Sequence, residues 1–553
     1  MNNITSNAAF LPTTRAEMQL RGWDYLDIII ISGDAYIDHP SFGAAIIARS
    51  LEAEGFRVGI IPQPDWKAVE SFQQLGRPRL FFGVTAGNMD SLINHYTAQR
   101  KLRSEDAYSP DGKAGMRPDR ATMIYTNMLK RAYKGVPIVI GGVEASLRRI
   151  AHYDYWQDKV RGSILADSKA DILVYGMAEK PLCTVAKALA AGATPGSIQD
   201  QPSTMVFAAK EPDEDAIILP DAESCKDKET FYRMTKLFVE NSNEQVLYQK
   251  NGGRWLRHNP PDKGLSTAEM DKIYDLPFTY QPHPRYQKQR IAAFEQIKAS
   301  LTAHRGCYGG CNFCSIACHQ GRRIQSRSAA SILREAKRHS GTISDVGGPT
   351  ANMYASICKL DFPHNCKRRS CLYPAICPNL RADHPAQLRL LDSISKLPSI
   401  KHVFIASGIR HDLALDHHEY IKALATKYTG GRLKLAPEHS VPKVLRLMGK
   451  PEISSFEEFS KKYFRIAKDA GLKRQIIPYL IIGHPGTTMD DALELRNWLH
   501  KNNLHVEQVQ EFTPTPMSIS TCMYYTGLDF DTGKPIHIPI PGEIRQQKKL
   551  IVG

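Results

Sequence analysis

Short apolar runs recur through the first part of the 553-residue chain, at 24–32, 55–62, 80–85, 136–142 and 170–176, with helical stretches between them. Runs this short and apolar on both faces are the pattern of strands buried inside a parallel sheet, not of half-exposed hairpins. The stretch 42–54 supplies the first crossover helix. Residues 1–200 are therefore expected to form a doubly wound, Rossmann-like α/β domain with a site at the carboxyl ends of its strands. Over 201–290 the rhythm weakens, with Pro260, Pro261, Pro282 and Pro284 breaking it. That segment reads as a connecting region containing helical residues around 230–249.

The alternation resumes at residue 291. Strands are expected at 300–304, 342–346, 401–407, 432–436, 474–482 and 505–511. Helices are expected at 328–339, 387–397, 416–427, 441–448, 456–470 and 489–501. Six strand–helix units with right-handed crossovers predict a partial (β/α)6 TIM-type barrel over 291–530, with its functional groups on the loops that follow the strands. A C-terminal tail is left at 531–553.

Just after the first of these strands, Cys307, Cys311 and Cys314 stand in a C-x3-C-x2-C run interleaved with Gly306, Gly309 and Gly310. Thiolates are soft ligands that select zinc or iron–sulfur clusters, and the glycines let the backbone wrap a bulky centre. Closed zinc sites usually divide their ligands into two separated pairs. Three cysteines within eight residues better suit a 4Fe-4S cluster with one iron left open, the alternative being zinc-bound or simply buried thiols. A second group, Cys358, Cys366, Cys371 and Cys377, lies in an insertion at 352–384 marked by Pro363, Pro374 and Pro378. Its irregular spacing fits zinc, an auxiliary iron–sulfur cluster or free thiols. Cys318 is placed to join either group or none, and Cys183, Cys225 and Cys522 read as ordinary buried residues.

Eleven cysteines gathered in clusters suit metal binding in a reducing, cytoplasmic compartment more than a disulfide framework. The longest apolar run near the start, 28–31, is too short to cross a bilayer, and residues 1–19 lack the blocks of a signal peptide, so no membrane partner is expected. The net charge is +15 and uneven: residues 305–338 carry seven Lys or Arg against Glu335 alone, and Lys367, Arg368 and Arg369 follow one another. Such a basic rim suits RNA or another anionic macromolecule, an anionic cluster and cofactor, or plain solvated surface.

The C-x3-C-x2-C spacing with Phe313 directly before the third cysteine resembles the signature of the radical S-adenosylmethionine (radical SAM) superfamily. That resemblance implies a 4Fe-4S cluster on Cys307, Cys311 and Cys314, with S-adenosylmethionine on the open iron. It implies reductive cleavage to a 5'-deoxyadenosyl radical, fed by an electron donor such as flavodoxin or ferredoxin. It also implies cofactor contacts on the loops after the strands, at Gly347 and Gly348, at Ser407 and Arg410, at Glu438 and at Gly483. Several segments together resemble the YgiQ family (UPF0313): Gly22-Trp23-Asp24, Gly347-Gly348-Pro349-Thr350-Ala351-Asn352-Met353, the four-cysteine insertion and Tyr525-Thr526-Gly527. In the first domain, the loop after the first strand stands where cobalamin-binding domains, which that domain resembles in fold, carry D-x-H-x-x-G. Here Asp38 and His39 are adjacent, so cobalamin is not expected. The chain is thus read as a radical SAM enzyme acting on an unknown substrate, with no residue assigned as acid or base. The readings held against it are an iron–sulfur electron-transfer protein and a zinc-stabilised nucleic-acid-binding protein.

Overall fold

A computed structural model of the chain describes residues 9–360 and 366–552. Pro363, one bound of the cysteine-rich insertion, falls outside them. The chain divides into two compact units, Met1–Leu265 with Lys272–Lys298, and Ser266–Asp271 with Ala299–Gly553.

In the first unit, β1 (Ile28–Ser32), β2 (Val58–Pro62), β3 (Phe81–Thr85), β4 (Ile138–Gly141) and β5 (Ile172–Val174) lie parallel in the order β2-β1-β3-β4-β5. These are the five apolar runs of the sequence, and β1 and β2 are buried along their whole length. The helix Gly43–Ala53 makes the first crossover and buries Ala45, Ile46, Ala48 and Leu51. Strand order reverses between β1 and β3, the place where doubly wound sheets open a ligand crevice. Here the chain's own groups take that position. Asp34, after β1, accepts the Asn88 N–H at 2.7 Å and pairs with Arg117 at 3.1 Å. Arg117 also grips Asp106 at 3.0 Å and donates to the Ala86 carbonyl at 2.8 Å.

Residues 201–290 are not a connector. Four strands, β6 (Thr204–Phe207), β7 (Ile217–Leu219), β8 (Leu247–Asn251) and β9 (Arg254–His258), extend the same sheet to nine strands in the order β5-β6-β9-β8-β7. β5, β6, β9 and β8 pair antiparallel in succession. Antiparallel strands near an edge tolerate polar side chains on one face, so runs such as Leu247-Tyr-Gln-Lys-Asn lack the continuous apolar signal of the parallel core. The helix expected at 230–249 runs from Lys228 to Asn241, because 247–251 enters the sheet. Asp38 is fully buried against Arg49 at 2.6 Å and accepts the Thr279 N–H at 3.0 Å. His39 is 3% exposed, and its Nδ1 accepts the Ser41 N–H. This loop clamps the returning segment around residue 280.

The second unit carries β10 (Ser300–Thr302), β11 (Gly341–Ile343), β12 (Asp345–Gly347), β13 (Ile400–Val403), β14 (Arg432–Glu438), β15 (Gln475–Ile482) and β16 (Gln510–Glu511). β11 and β12 are two pieces of one strand run, so six strand positions alternate with helices as the sequence predicts. All the pairings between neighbouring positions are parallel: β10 with β12, β11 with β13, β14 with β15, β15 with β16. Between β13 and β14 a single bridge, Ile409 to Leu435, makes the link. Among the described residues nothing pairs β16 back to β10, so the barrel stays open. Val403, Ile405, Leu433, Leu435 and Ile476 face the helices and join one core with Leu390, Tyr420, Phe456, Phe459 and Tyr463. Residues 531–553 are more than a tail: Pro541–Val552 is a helix whose Gln547 accepts the Gly483 N–H at 2.9 Å. Cys183, Cys225 and Cys522 are buried. Among the described residues no helix is long and apolar enough to cross a membrane.

Burial outweighs the attraction of Arg117 at Asp34 and raises its carboxyl pKa from 3.8 to about 6. The folded state therefore holds this proton more tightly than the unfolded chain does. The stabilisation is full below pH 3.8 and lost as pH rises through about 6. Asp34→Asn, neutral throughout and leaving Arg117 its Asp106 partner, is expected to remove about 3 kcal/mol of pH-dependent stability between pH 4 and 7. Urea unfolding across that range checks it.

Candidate metal and cofactor site

Beyond β10, His304 and Arg305 pair antiparallel with Ser326 and Gln325, tying together the two ends of the loop that carries Cys307, Cys311 and Cys314. Distant segments then hold the loop by its backbone. The Cys307 N–H donates to Gly321 O at 3.1 Å, and the Asn312 N–H and Nδ2 donate to Met448 O and Leu447 O, each at 2.9 Å. Ser520 N–H donates to Asn312 O at 2.8 Å. From the insertion, Ser370 Oγ donates to Gly309 O at 2.6 Å and Cys371 N–H to Tyr308 O at 3.1 Å. Gly310, at φ 62°, lies so close to Ser370 that a Cβ there would stand 2.7 Å from the serine's own. Phe313 packs onto Val441, Val444, Met448, Ile481 and Phe512, which anchors the third cysteine's end of the loop.

The sulfurs face a bare patch of backbone. A Cβ on Gly309 would lie 3.3 Å from Cys307 Sγ, 3.8 Å from Cys311 Sγ and 3.6 Å from Arg410 Nη1. Burial, and then the neighbouring thiols, push the Cys307 and Cys314 thiols up. Among the described residues no three His, Cys, Asp or Glu side chains converge on one ion.

Arg410 follows β13 and points at this loop, its Nη1 3.6 Å from Cys311 Sγ. Asp412 holds the rest of the guanidinium in a two-point grip at 2.8 and 2.6 Å. Burial alone would raise the Asp412 carboxyl, but Arg410 outweighs it and holds it well below the usual carboxylate range. Asn352 braces the Arg410 backbone from both sides, accepting its N–H at 2.8 Å and donating to its carbonyl at 2.9 Å. Glu438 ends β14 in the left-handed region at φ 72°, a conformation that costs a non-glycine residue about 1–3 kcal/mol and that clusters at functional sites. Its burial raises the carboxyl, offset in part by Lys450, whose Nζ stands 3.7 Å away, and by Arg410.

The structure thus gathers Arg410, Glu438 and the three cysteines, while the other expected contacts have local duties. Gly347 gives room to Ser407, whose Oγ would lie 2.5 Å from a Cβ, and its carbonyl accepts the Ala303 N–H at 2.7 Å. The Ser407 hydroxyl is bonded to Asp345. Gly348 packs against His304, and Gly483 against Ile544 of the terminal helix, 2.9 Å from a Cβ. In the insertion, Cys358 sits in a two-residue strand opposite Leu380, and the Cys377 N–H donates to Cys371 O at 2.8 Å. Burial, with Cys377 and Cys366 close by, pushes the Cys371 thiol up, and among the described residues no three His, Cys, Asp or Glu side chains group around one ion in the insertion. Asn312, Asn352, Asp412 and Lys450 escape sequence reasoning. Asn312, Asn352 and Lys450 are single polar residues whose partners lie far along the chain, Asp412 is fixed by Arg410 two residues before it, and no periodicity signals any of them.

A family model described as Radical SAM N-terminal matches residues 10–300, and one described as Radical SAM superfamily matches 301–499. The UPF0313 protein of Rhodopseudomonas palustris is 48% identical, over 94% of this chain and 82% of its own length. The UPF0313 protein of Geobacter sulfurreducens is 48% identical, over 98% of this chain and 92% of its own. Among solved structures, the radical S-adenosylmethionine methyltransferase TsrM from Kitasatospora setae, with cobalamin and a [4Fe-4S] cluster bound, is similar in fold. The match has a TM-score of 0.51 at 14% identity and covers 95% of this chain and 81% of TsrM. Agreement along nearly the whole length with both halves of this architecture makes the chain a radical SAM enzyme and a member of the UPF0313 family.

Proposed function

We propose that Cys307, Cys311 and Cys314 hold a 4Fe-4S cluster whose open iron binds S-adenosylmethionine, and that the enzyme abstracts hydrogen from its substrate. The observation carrying this reading is the bare Gly309 backbone flanked by the sulfurs of Cys307 and Cys311, room that any side chain would fill. When bound, such a cluster supplies the electron that splits the sulfonium of S-adenosylmethionine into methionine and a 5'-deoxyadenosyl radical.

The chain's own part is to place charge and exclude water. Arg410 donates an N–H toward Cys311 sulfur and offers its positive charge to an anionic centre or to the cofactor carboxylate, with Asp412 fixing its direction. Glu438, strained and facing Lys450 and Arg410, suits the ribose hydroxyls. Ser407, Gly347, Gly348 and Gly483 support the strand ends and not the cofactor in this reading. The four-cysteine insertion is read as a brace on the cluster loop, through Ser370 and Cys371, with no second metal. Cobalamin is given no part in this reading: Asp38 is committed to Arg49 and His39 is enclosed, which removes the one motif that would ligate its cobalt. A small reductant of the flavodoxin or ferredoxin kind completes the cycle.

Anaerobic reconstitution with iron and sulfide, followed by dithionite and S-adenosylmethionine, is expected to release 5'-deoxyadenosine. Absence of product, with cluster spectra unmoved by the cofactor, overturns the reading in favour of an electron carrier. Cys311→Ala is expected to lose the cluster absorption and the product together while keeping its far-ultraviolet circular dichroism.

Arg410→Met leaves the buried Asp412 unpaired and is expected to cost about 3–5 kcal/mol of stability in urea unfolding. The double variant R410M/D412L removes the pair as a unit and regains most of that loss. Hydrogen bonds to cluster sulfur favour the reduced state. The double variant's reduction potential, followed by electron paramagnetic resonance during redox titration, is therefore expected to be more negative than the wild type's.

A further inference from the structure

Beside the starts of β14 and β15, and reaching Phe404 to Ala406 just past β13, lies a cavity of about 400 Å³ lined also by Arg432, Lys434, Lys473 and Gln475. Its origin is in the strand pairing. Among the described residues β13 and β14 are joined only through the bridge of Ile409, beyond β13, to Leu435, while Ile405 N–H turns aside to Tyr428 O at 2.9 Å. The strands diverge below that point.

The side chains follow period two. Val403, Ile405, Leu433 and Leu435 face the helices, so His402, Phe404, Arg432 and Lys434 share the opposite, barrel-side face. That face is not apolar. Arg432, Lys434 and Lys473 are all exposed, and no carboxylate among the described residues pairs with any of them. Phe404 is half-buried beside them, its ring stacked on His402 with centroids 5.8 Å apart and planes within 5°. Tyr479, on the neighbouring strand, is 40% exposed.

Three cations without a carboxylate partner around a hollow make a positive potential that favours an anion there, and stacked aromatic rings at the rim offer a flat apolar surface. Phosphate with a planar base is the chemistry that uses both, and the volume lies in the range of small-ligand sites. A flat acidic protein surface would use the charges but not the hollow or the rings. We propose that this cavity binds a nucleotide, its phosphate on Arg432, Lys434 and Lys473 and its base against Phe404. From Arg432 to Glu438 the strand runs about 20 Å. A single nucleotide held here does not reach the cysteine loop, so the position suits one unit of a single-stranded RNA anchored while another part approaches the loop. The assignment does not depend on the cluster, and binding and S-adenosylmethionine cleavage are measured separately.

The test uses the full chain and a fluorescein-labelled single-stranded RNA of roughly a dozen nucleotides, read by anisotropy against salt. The triple variant Arg432→Ala, Lys434→Ala, Lys473→Ala is expected to lower the slope of log affinity against log salt by about 2, at roughly 0.7 per phosphate contact. Phe404→Ala is expected to weaken binding about tenfold with the slope unchanged, and Phe404→Trp to restore it. Competition by adenosine monophosphate that the triple variant loses marks a free nucleotide as the ligand. RNA binding without such competition marks a strand, and both outcomes support the cavity. Unchanged RNA binding in the triple variant overturns the proposal. So does equal competition by polyglutamate with no effect of Phe404→Ala, which points to an acidic protein. Circular dichroism and 5'-deoxyadenosine release from the variants show whether the fold and the cluster site remain intact.

Discussion

A loop of glycine and cysteine has almost no conformational preference of its own, so everything in this site depends on backbone hydrogen bonds reaching it from elsewhere. Asn312 is fastened at both its N–H and its C=O, to Met448 and Ser520, and its side chain holds Leu447. The insertion fastens Tyr308 and Gly309. These partners lie tens to hundreds of residues away along the chain. The register of the three sulfurs therefore depends on the strands and helices of the second unit that supply these partners. That dependence places the rigidity of a barrel behind a segment that alone would sample many shapes.

Electrostatics completes what the backbone begins. Sulfur ligands around iron are anionic, and burying them calls for positive charge or donors nearby. In the proposed reading Arg410 supplies that charge, and Asp412 keeps it paired and oriented. Glu438 shows the opposite balance: an acid pushed toward its neutral form by burial and held in a strained backbone, with Lys450 close by. One positive group and one reluctant acid face the same space, an arrangement that can favour different ends of one bound molecule.

Much of this architecture was legible in the residues because it rests on periodicity. The five parallel strands of the first unit and the six strand positions of the second fall where apolar runs place them. Helices such as Met489–Lys501 match residue for residue. Strands near the sheet's edge such as Leu247–Asn251, second from the end, escape the pattern because one of their faces is polar. The terminal helix Pro541–Val552 was lost because its few buried residues, Gln547 and Ile551, make no strong stripe. At the site, spacing found the cysteines, but a glycine's purpose depends on what lies opposite it. Gly309 faces sulfur, whereas Gly483 faces Ile544. Nothing in the local sequence separates the two.

The contact of Ser370 and Cys371 with the cysteine loop has a reciprocal side. Two elements sharing hydrogen bonds at Tyr308 and Gly309 cannot be stabilised independently. Whatever tightens the loop must, by linkage, lower the free energy of the docked insertion by the same amount, and loosening the insertion must weaken whatever the loop holds. The irregular, proline-bounded segment thus becomes a thermodynamic sensor of the loop's occupancy. Its protection from proteolysis or from hydrogen exchange reports on the three thiols at a distance.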